Sequence, residues 1–254
     1  MSEGTPQLPL TWVDSQSPLP SVNAAWGQDS DAPGLLAAGA DLGVERLLEA
    51  YSQGIFPWFN PDQPVLWWSP DPRMVLETAH FKLHRSLRKT LSRYSAHPRF
   101  ELCFDKAFDQ VIEACAQSPR EGQNGTWIVP QMVEAYKALH QAGFAHSAET
   151  WLDGQLVAGL YFVCIGKAVF GESMFSTLSD GSKMALAALV NVCQQHGIQA
   201  IECQQNTAHL ALMGAKEMAR KEFLNLIQPA LALEGLEWKA QQVNWDAWRS
   251  QGTA

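Results

Sequence analysis

The sequence predicts an α+β fold in which a small N-terminal α/β domain precedes a larger C-terminal domain. Between residues 145 and 176, three apolar runs are separated by Asp153-Gly154 and Gly166-Lys167. Dipeptides of this kind favour tight hairpin turns, so the segment is predicted to form a three-stranded antiparallel meander. A helix over 182–196 capped by the Asp180–Ser182 region, a strand over 198–204, and helices near 208–213 and 218–228 are predicted to follow.

The predicted N-terminal part consists of an extended arm and a small domain. Residues 1–31 are rich in Pro, Ser and Gln, which is typical of an extended arm, and the domain is assigned to residues 32–97. Apolar residues recur at helical spacing over 42–53, and Gly54 is placed to end that helix. A short strand is predicted over 74–77.

One predicted amphipathic helix, residues 80–94, carries a concentration of positive charge in a chain of net charge −8. One stripe of this helix is apolar, and the segment contains no carboxylate. Its five cations are Lys82, Arg85, Arg88, Lys89 and Arg93. Two interpretations stay open: a solvated helix face, or a surface that contacts a phosphate backbone.

The C-terminal domain is assigned to residues 98–232, with a tail over 233–254. Before the meander it is predicted to contain a strand over 100–104, a helix over 107–117 and a helix that begins at Pro130 and is ended by Gly143. The polar loop before Pro130 carries one large aromatic side chain, Trp127.

Composition excludes several classes of protein. A hydrophobic content of 46% is enough for a large core, whereas no apolar run reaches the roughly 18 residues that a membrane span needs. The five cysteines form no CxxC pair and are expected to be free thiols in a reducing cytoplasm. The seven histidines include no HExxH motif, and no metal site is expected.

Residues 54–73 are unusually rich in rings and prolines, with three tryptophans, two phenylalanines and five prolines in twenty positions. Such a segment cannot be a regular helix. Its rings either pack inward or form a platform for a flat ligand. Trp58 in this segment and Trp127 in its own loop have no periodic reason to be core, although a buried tryptophan is the commoner case.

Two carboxylates occur at the ends of predicted core strands. Glu172 lies among apolar neighbours, and Glu202 precedes Cys203 and Gln204. A buried carboxylate is costly unless it is paired or used chemically. Because the strands before and after the main helix are expected to be neighbours, Glu172 and Glu202 are predicted to line one cleft. The simpler alternative is that each is a rim residue or an ion-pair partner.

The order meander, helix, strand, helix resembles the core of the GNAT acyltransferase fold. GNAT enzymes bind the pyrophosphate of coenzyme A through a glycine-rich segment at the start of the main helix. The corresponding stretch here, residues 173–186, has a single glycine. Coenzyme A is therefore not expected, and the acyl donor is expected to be another compound.

A set of motifs in fixed order resembles the leucyl/phenylalanyl-tRNA–protein transferase family over residues 32–230. They are GLLAAGADL (34–42), GIFPWF (54–59), WWSPDPR (67–73), GTWI (125–128), VEAYKALH (133–140), AHSAETW (145–151), GESMFS (171–176), SK (182–183) and ECQ (202–204). The resemblance implies a bacterial cytoplasmic enzyme with a GNAT-like C-terminal domain. It implies transfer of Leu or Phe, and weakly Met, from aminoacyl-tRNA to proteins with N-terminal Arg or Lys, which marks them for degradation. No metal, cofactor or membrane is implied, and a monomer is expected.

The resemblance also implies roles for individual residues. Trp58 and Trp127 match tryptophans that hold the 3′-terminal adenosine of the tRNA, and Glu172 matches a glutamate of the catalytic cleft. Glu202 and Gln204 match the carboxylate and amide assigned to the chemistry, although the family usually has Asp at the position of Glu202. The aminoacyl side-chain pocket is matched by Leu160, Val169, Met174, Ile201 and Cys203. The basic helix becomes the expected surface for the tRNA acceptor stem.

Two other functions stay open at this point: a CoA-dependent N-acetyltransferase and a non-catalytic tRNA-binding module. Binding of coenzyme A would favour the first. Binding of tRNA without transfer of the amino acid to a peptide would favour the second.

Overall fold

The computed structural model describes residues 9–118 and 128–245 and contains two sheets. The smaller sheet has four strands in the order β1-β2-β4-β3. They are β1 (Thr11–Val13), β2 (Leu35–Gly39), β3 (Phe56–Pro57) and β4 (Leu66–Trp68). Helix α1 (Val44–Ser52) buries Leu47 and Tyr51, and Gly54 adopts a left-handed φ of 70° two residues after it. Because β1 pairs in parallel with β2, residues 11–13 of the predicted extended arm belong to this sheet.

The larger sheet has seven strands in the order β11-β5-β10-β9-β8-β7-β6. They are β5 (Arg73–Glu77), β6 (Phe100–Phe104), β7 (Ala145–Leu152), β8 (Gln155–Ile165), β9 (Ala168–Ser176), β10 (Ala200–Glu202) and β11 (Lys216–Met218). The predicted meander is confirmed as β7, β8 and β9. Its first turn has positive φ angles at Asp153 and Gly154, which suits a two-residue hairpin loop. Strands β9 and β10 pair in parallel.

Helices cover both faces of the larger sheet. They are α2 (Arg85–Ser95), α3 (Phe108–Gln117), α4 (Pro130–Gln141), α5 (Gly181–Gln195), α6 (Ala208–Leu212) and α7 (Arg220–Leu231). One core cluster joins α3, α4, α1 and the small sheet to one face, and a second joins α5 and α2 to the other. Within the described parts of the chain, no helix is long and apolar enough to cross a membrane.

Helix α2 is shorter than the predicted helix over 80–94. Residues 78–80 form a separate 3-10 turn, and α2 begins only at Arg85 because Phe81 and His84 have extended backbone angles. The amide of Lys82 donates instead to the carbonyl of Met213. Lys82 therefore lies before the helix and not on it.

The chain passes from one sheet to the other between Trp68 and Arg73. Strand β5 lies within the residues assigned to the N-terminal domain, yet it pairs with β10 and β11 of the larger sheet. The predicted boundary near residue 98 thus differs from this crossing point. The predicted tail also contributes to the core: Trp238 is buried, and its ring lies 4.7 Å from that of Phe162.

Candidate active site

A cavity of about 460 Å³ opens where β9 and β10 part. The two strands pair only at Val169–Phe170 and Ile201–Glu202, and residues beyond these pairs face the cavity. Seven predicted site residues line it together with Phe56: Trp58, Leu160, Glu172, Met174, Ile201, Cys203 and Gln204. The structure therefore brings the predicted apolar pocket, one carboxylate, the amide and one tryptophan into a single site.

Val169, Glu202 and Trp127 are the predicted residues of this site that do not line the cavity in the described structure. Val169 is buried in the core and pairs with Ile201, and of this pair only Ile201 lines the cavity. Trp127 lies outside the described residues. Its predicted role stays a prediction.

Glu172 is placed by a β-bulge in β9. Tyr161 of β8 pairs with Ser173, and Phe162 pairs with Gly171, which leaves Glu172 as the extra residue. A bulge of this kind redirects a side chain and is common beside functional sites. It sends the Glu172 carboxylate towards α1 and α4, where it meets two tyrosines.

The Glu172 carboxylate accepts three hydrogen bonds. Tyr51 Oη lies 2.6 Å from Oε1, Tyr136 Oη lies 3.2 Å from Oε2, and Gln204 Nε2 lies 3.1 Å from Oε2. Burial raises the pKa of Glu172 from 4.5 to about 7; the charge of Glu202 adds to this rise, and the hydrogen bonds oppose it. Near neutral pH this carboxylate can both accept and release a proton.

The two tyrosines are site residues that the sequence analysis did not identify. Tyr51 lies within the predicted helix over 42–53, and Tyr136 lies within the VEAYKALH motif. Their hydroxyl oxygens lie 2.5 Å apart across 85 residues of sequence, and each lies within hydrogen-bonding distance of Glu172. Because each phenol has a single proton, a tyrosine that donates to the other does not donate to Glu172 at the same time. Burial raises the pKa of both phenols, so they stay neutral donors. The one sequence signal for either residue is that Tyr136 lies in a motif shared with the family.

Glu202 points away from the cavity. Because side chains alternate along β10, Ile201 and Cys203 face the cavity while Glu202 is buried on the opposite side, at 2% exposure. Its Oε1 accepts the backbone N–H of Gln204 at 2.9 Å and lies 3.5 Å from Arg73 Nη1. Burial raises the pKa of Glu202 to about 7, against the lowering effect of Arg73. This position corrects the expectation that Glu202 and Glu172 line one cleft.

Arg73 ends the WWSPDPR motif, and the sequence analysis assigns it no role in the site. Its side chain is fully buried, and Nη2 donates to the Gly54 carbonyl at 2.8 Å and to Ser69 Oγ at 3.1 Å. The guanidinium also lies 4.4 Å from the ring centre of Phe223. Arg73 therefore ties the proline-aromatic segment, α7 and Glu202 together.

Gln204 links the two carboxylates. Its φ of 59° is left-handed, which is uncommon for a residue other than glycine and is typical of a functional site. In this conformation its backbone N–H binds Glu202 while its side-chain amide enters the cavity and binds Glu172. The backbone conformation at the end of β10 thus directs the Gln204 side-chain amide towards Glu172.

Trp58 is half-buried and forms one wall of the cavity. Its ring meets that of Trp68 edge to face at 5.4 Å, and Trp68 Nε1 donates to the Trp58 carbonyl at 2.6 Å. Trp67 is fully buried and donates to the Gly39 carbonyl. The aromatic segment therefore has one ring at the cavity and two that hold its backbone in place.

The predicted basic surface is exposed on α2 and just before it. Leu87 and Leu91 of this helix are buried, while the cations Lys82, Arg85, Lys89 and Arg93 are exposed and Arg88 is half-buried. Between them, Thr90 Oγ1 donates to Asp180 Oδ2 at 3.3 Å, beside the start of α5. The basic surface thus adjoins the helix that carries the cavity residues Ser182 and Leu186.

One group of residues away from the cavity has the composition of a metal site. In the described residues, potential ligand atoms of Asp105, His140 and His146 lie within 4.8 Å of one another. His146 Nδ1 lies 2.7 Å from Asp105 Oδ2, and His140 Nδ1 lies 2.7 Å from the Ala145 carbonyl. These contacts bind β6, β7 and α4 together, which is a sufficient structural role. The expectation of no metal stays a prediction.

Comparison with known proteins places this site in a family. A family model described as leucyl/phenylalanyl-tRNA protein transferase matches residues 75–228, and a model of its N-terminal domain matches residues 40–71. The chain belongs to this family. The interval between the two matches, residues 72–74, contains Arg73, where β5 of the larger sheet begins.

Relatives in the family match over nearly the whole chain. The chain is 55% identical over 237 residues to the leucyl/phenylalanyl-tRNA–protein transferase of Polaromonas sp. strain JS666, which covers 93% of each chain. It is 53% identical over 230 residues to that of Burkholderia pseudomallei strain 668, which covers 91% of this chain and 90% of the relative. The resemblance of the sequence motifs to this family is thereby confirmed.

A solved ribosomal-protein-alanine N-acetyltransferase from Brucella melitensis biovar Abortus 2308 is similar at a TM-score of 0.30 and 12% identity. The match covers 57% of this chain and 98% of that one. This score is too low to support a conclusion about fold or function.

Proposed function

We propose that this protein transfers leucine or phenylalanine, and methionine weakly, from aminoacyl-tRNA to the N-terminal Arg or Lys of proteins. The product carries a new peptide bond and is marked for degradation. One observation carries the proposal: in a chain of this family, Trp58, an apolar pocket and the Glu172–Gln204 pair line a single cavity.

The cavity offers a separate place for each part of the donor. The terminal adenine stacks on Trp58, where a base–aromatic contact is sequence-tolerant. The aminoacyl side chain enters the apolar part formed by Leu160, Met174, Ile201 and Cys203. An unbranched or γ-branched apolar side chain fits such a pocket, and each missing methylene costs about 1–3 kcal/mol of discrimination. The ester then lies next to Glu172 and Gln204.

The chemistry requires positioning and the handling of one proton. The acceptor amine attacks the ester carbonyl carbon, a C–N bond forms, and the C–O bond to the adenosine ribose breaks. The attacking nitrogen loses a proton to Glu172, and the departing ribose oxygen takes up a proton. An α-amine has a pKa near 8, so a carboxylate with a pKa of about 7 is a well-matched base.

Gln204 and Glu202 support this proton transfer in different ways. The Gln204 amide holds Glu172 in place and lies where the donor carbonyl is expected. Glu202 fixes the backbone of Gln204, and its charge helps to raise the pKa of Glu172. The catalytic role first assigned to Glu202 is thus proposed to be a positioning and electrostatic one.

The proposal also covers the fold type, the acyl donor, the oligomeric state and the location of the protein. The meander β7–β9, helix α5 and the parallel strand β10 follow the GNAT-like order, and the donor ester replaces coenzyme A as the acyl source. The protein is proposed to act as a monomer in the bacterial cytoplasm, without metal or cofactor.

Replacing Trp58 with alanine is expected to weaken binding of a non-hydrolysable Leu-tRNA about 5- to 150-fold, because one stacked base contributes about 1–3 kcal/mol. Trp58→Phe should restore part of the loss. Trp12→Ala is the matched control, since that tryptophan is 68% exposed and belongs to the small sheet. Equal affinity of Trp58→Ala and Trp12→Ala in a filter-binding assay would remove Trp58 from the donor site.

The double variant Arg85→Gln, Lys89→Gln tests the basic surface. Each lost phosphate contact should reduce the slope of log K against log salt by roughly 0.9, and the affinity for tRNA should fall at low salt. The turnover number at saturating tRNA should stay unchanged. Lys239→Gln, which changes an exposed lysine outside α2, serves as the control. An unaltered salt slope would show that α2 does not bind the tRNA backbone.

The direct test is transfer of labelled leucine from Leu-tRNA to a peptide that begins with Arg. Label in the peptide, and none in a peptide that begins with Glu, is the expected result. Binding of Leu-tRNA without transfer would leave a binding module, and micromolar binding of coenzyme A would favour an acetyltransferase.

A further inference from the structure

The Ser182-Lys183 dipeptide is a family motif to which the proposed function assigns no role. Ser182 lines the cavity, and Lys183 follows it in the first turn of α5. This turn is held tightly against the sheet, because a Cβ on Gly181 would lie 2.6 Å from Ser176 Oγ and 2.7 Å from Ala158 Cβ. The backbone of this turn, which carries Lys183 next to the cavity residue Ser182, is therefore fixed by packing.

Lys183 has a single carboxylate partner among the described residues, Asp180, whose Oδ1 lies 2.7 Å from Nζ. Asp180 is predicted to help cap α5, but it has a left-handed φ of 63°, and its carboxylate binds Lys183 and Thr90. The side chains of Lys183 and Asp180 are partly accessible, with exposed fractions of 30% and 23%. An accessible lysine held in this way can bind a second anion in addition to the Asp180 carboxylate.

His209 faces the same part of the cavity from the segment after β10. It lines the cavity, and its buried Nε2 has no hydrogen-bond partner within residues 9–118 and 128–245. Burial lowers the pKa of His209, and the nearby charge of Lys183 lowers it further. An imidazole nitrogen left unpaired in a polar part of a cavity is suited to bind an incoming polar group.

The chemistry of the donor supplies such a group. A terminal adenosine that stacks on Trp58 carries a phosphodiester on its 5′ oxygen, and this anion must enter with it. The chain has a net charge of −8, so a local cation is needed where the anion is buried. Lys183 is joined through Asp180 and Thr90 to α2, which places it between the basic surface and the cavity.

We propose that Lys183 and His209 form a binding subsite for the phosphodiester on the 5′ side of the donor's terminal adenosine. This inference rests on the proposed function. Lys183 contributes a charge-assisted hydrogen bond, and His209 donates from Nε2. Asp180 orients Lys183 in the free protein and limits its attraction for the anion.

The test uses 3′-leucylamino-3′-deoxyadenosine, with and without a 5′-methylphosphodiester. This diester carries one charge that does not titrate near neutral pH. Calorimetry should show that the diester raises the affinity of the unaltered protein about 10-fold or more, as expected for charge-assisted hydrogen bonds. Lys183→Gln and His209→Gln should each lose most of this gain while binding the nucleoside as before. Lys239→Gln, which removes the same charge from an exposed position that does not line the cavity, should keep the full gain.

A variant with the opposite effect is also available. Asp180→Asn should increase the gain from the diester, because it releases Lys183, and asparagine tolerates the left-handed conformation of this residue. If the unaltered protein binds the nucleoside and the diester adds nothing, or if both Lys183→Gln and His209→Gln keep the full gain, the subsite is wrong while the donor site stands. If the nucleoside itself does not bind, the proposed function fails.

Discussion

Replacing Glu172 with glutamine is expected to lower kcat for transfer to an Arg-peptide by about 10²- to 10⁴-fold, the usual contribution of a general base. Glutamine keeps the size of the side chain, and its single amide oxygen can still accept a hydrogen bond from Tyr51, but it cannot take up the amine proton. The affinity for Leu-tRNA should change little. Single-turnover kinetics at saturating tRNA and peptide measure this effect directly.

The pH dependence of kcat gives a second, independent measurement. Because the base must be ionised and the pKa of Glu172 is raised to about 7, kcat of the unaltered protein should rise with pH up to that value and then level off. The Glu172→Gln variant should lose this rise. Assays between about pH 5.5 and 8 cover the titration of the base on both sides of its pKa.

Glu134→Gln is a suitable control, because that glutamate is 77% exposed on α4, the helix that also carries Tyr136. The outcome separates two roles for Glu172. A higher KM for the peptide with unchanged kcat would mean that Glu172 binds the cationic side chain of the acceptor and is not the base. Unchanged kcat and unchanged KM would remove it from the site altogether.

Replacing Arg73 with methionine is expected to lower the free energy of unfolding by about 3–5 kcal/mol, the usual cost of removing one partner from a buried ion pair. The substitution leaves Glu202 buried without its cation and leaves the Gly54 carbonyl without the Arg73 donor. Urea titration measures the loss. Arg220→Met is a control of the same chemistry at a more exposed position beside the same segment.

The sign of the pH effect follows from the raised pKa of Glu202. An acid whose pKa is higher in the folded protein than its usual 4.5 binds more protons when folded, so stability falls as pH rises from about 4.5 to about 7. Without Arg73 the pKa of Glu202 should rise further, and the loss of stability should continue above about pH 7. Glu202→Gln in the same background should remove that continuation. Equal stability of Arg73→Met and the unaltered protein at about pH 8 would contradict the ion pair.

Much of the fold follows from local patterns in the sequence. The turns at Asp153-Gly154 and Gly166-Lys167 and the long apolar strands between them determine the meander, and the apolar helix after it determines α5. These elements depend on hydrophobic period and turn chemistry, both of which are readable within a few residues. The family motifs likewise contain Trp58, Glu172 and Gln204, the candidate residues that line one cavity in the structure.

Local sequence patterns do not determine the sheet to which a strand belongs. A strand pattern at 74–77 does not show which strand lies beside it, so the pattern does not reveal that β5 pairs with β10 and β11 of the larger sheet. Trp238 illustrates the same limit, because nothing local shows that a residue near the end of the chain packs against β8.

The orientation of the two carboxylates was decided only by the tertiary structure. The alternation of side chains turns Glu202 away from the cavity, and one extra residue in β9 turns Glu172 towards Tyr51 and Tyr136. A bulge depends on the pairing of two strands, and the hydrogen bonds depend on tyrosines 85 residues apart in sequence. The sequence by itself determined Trp58, Glu172 and Gln204 as candidate groups of the site, but not the two tyrosines. The folded chain decided which of them face the cavity, because that depends on contacts between segments whose local patterns are independent.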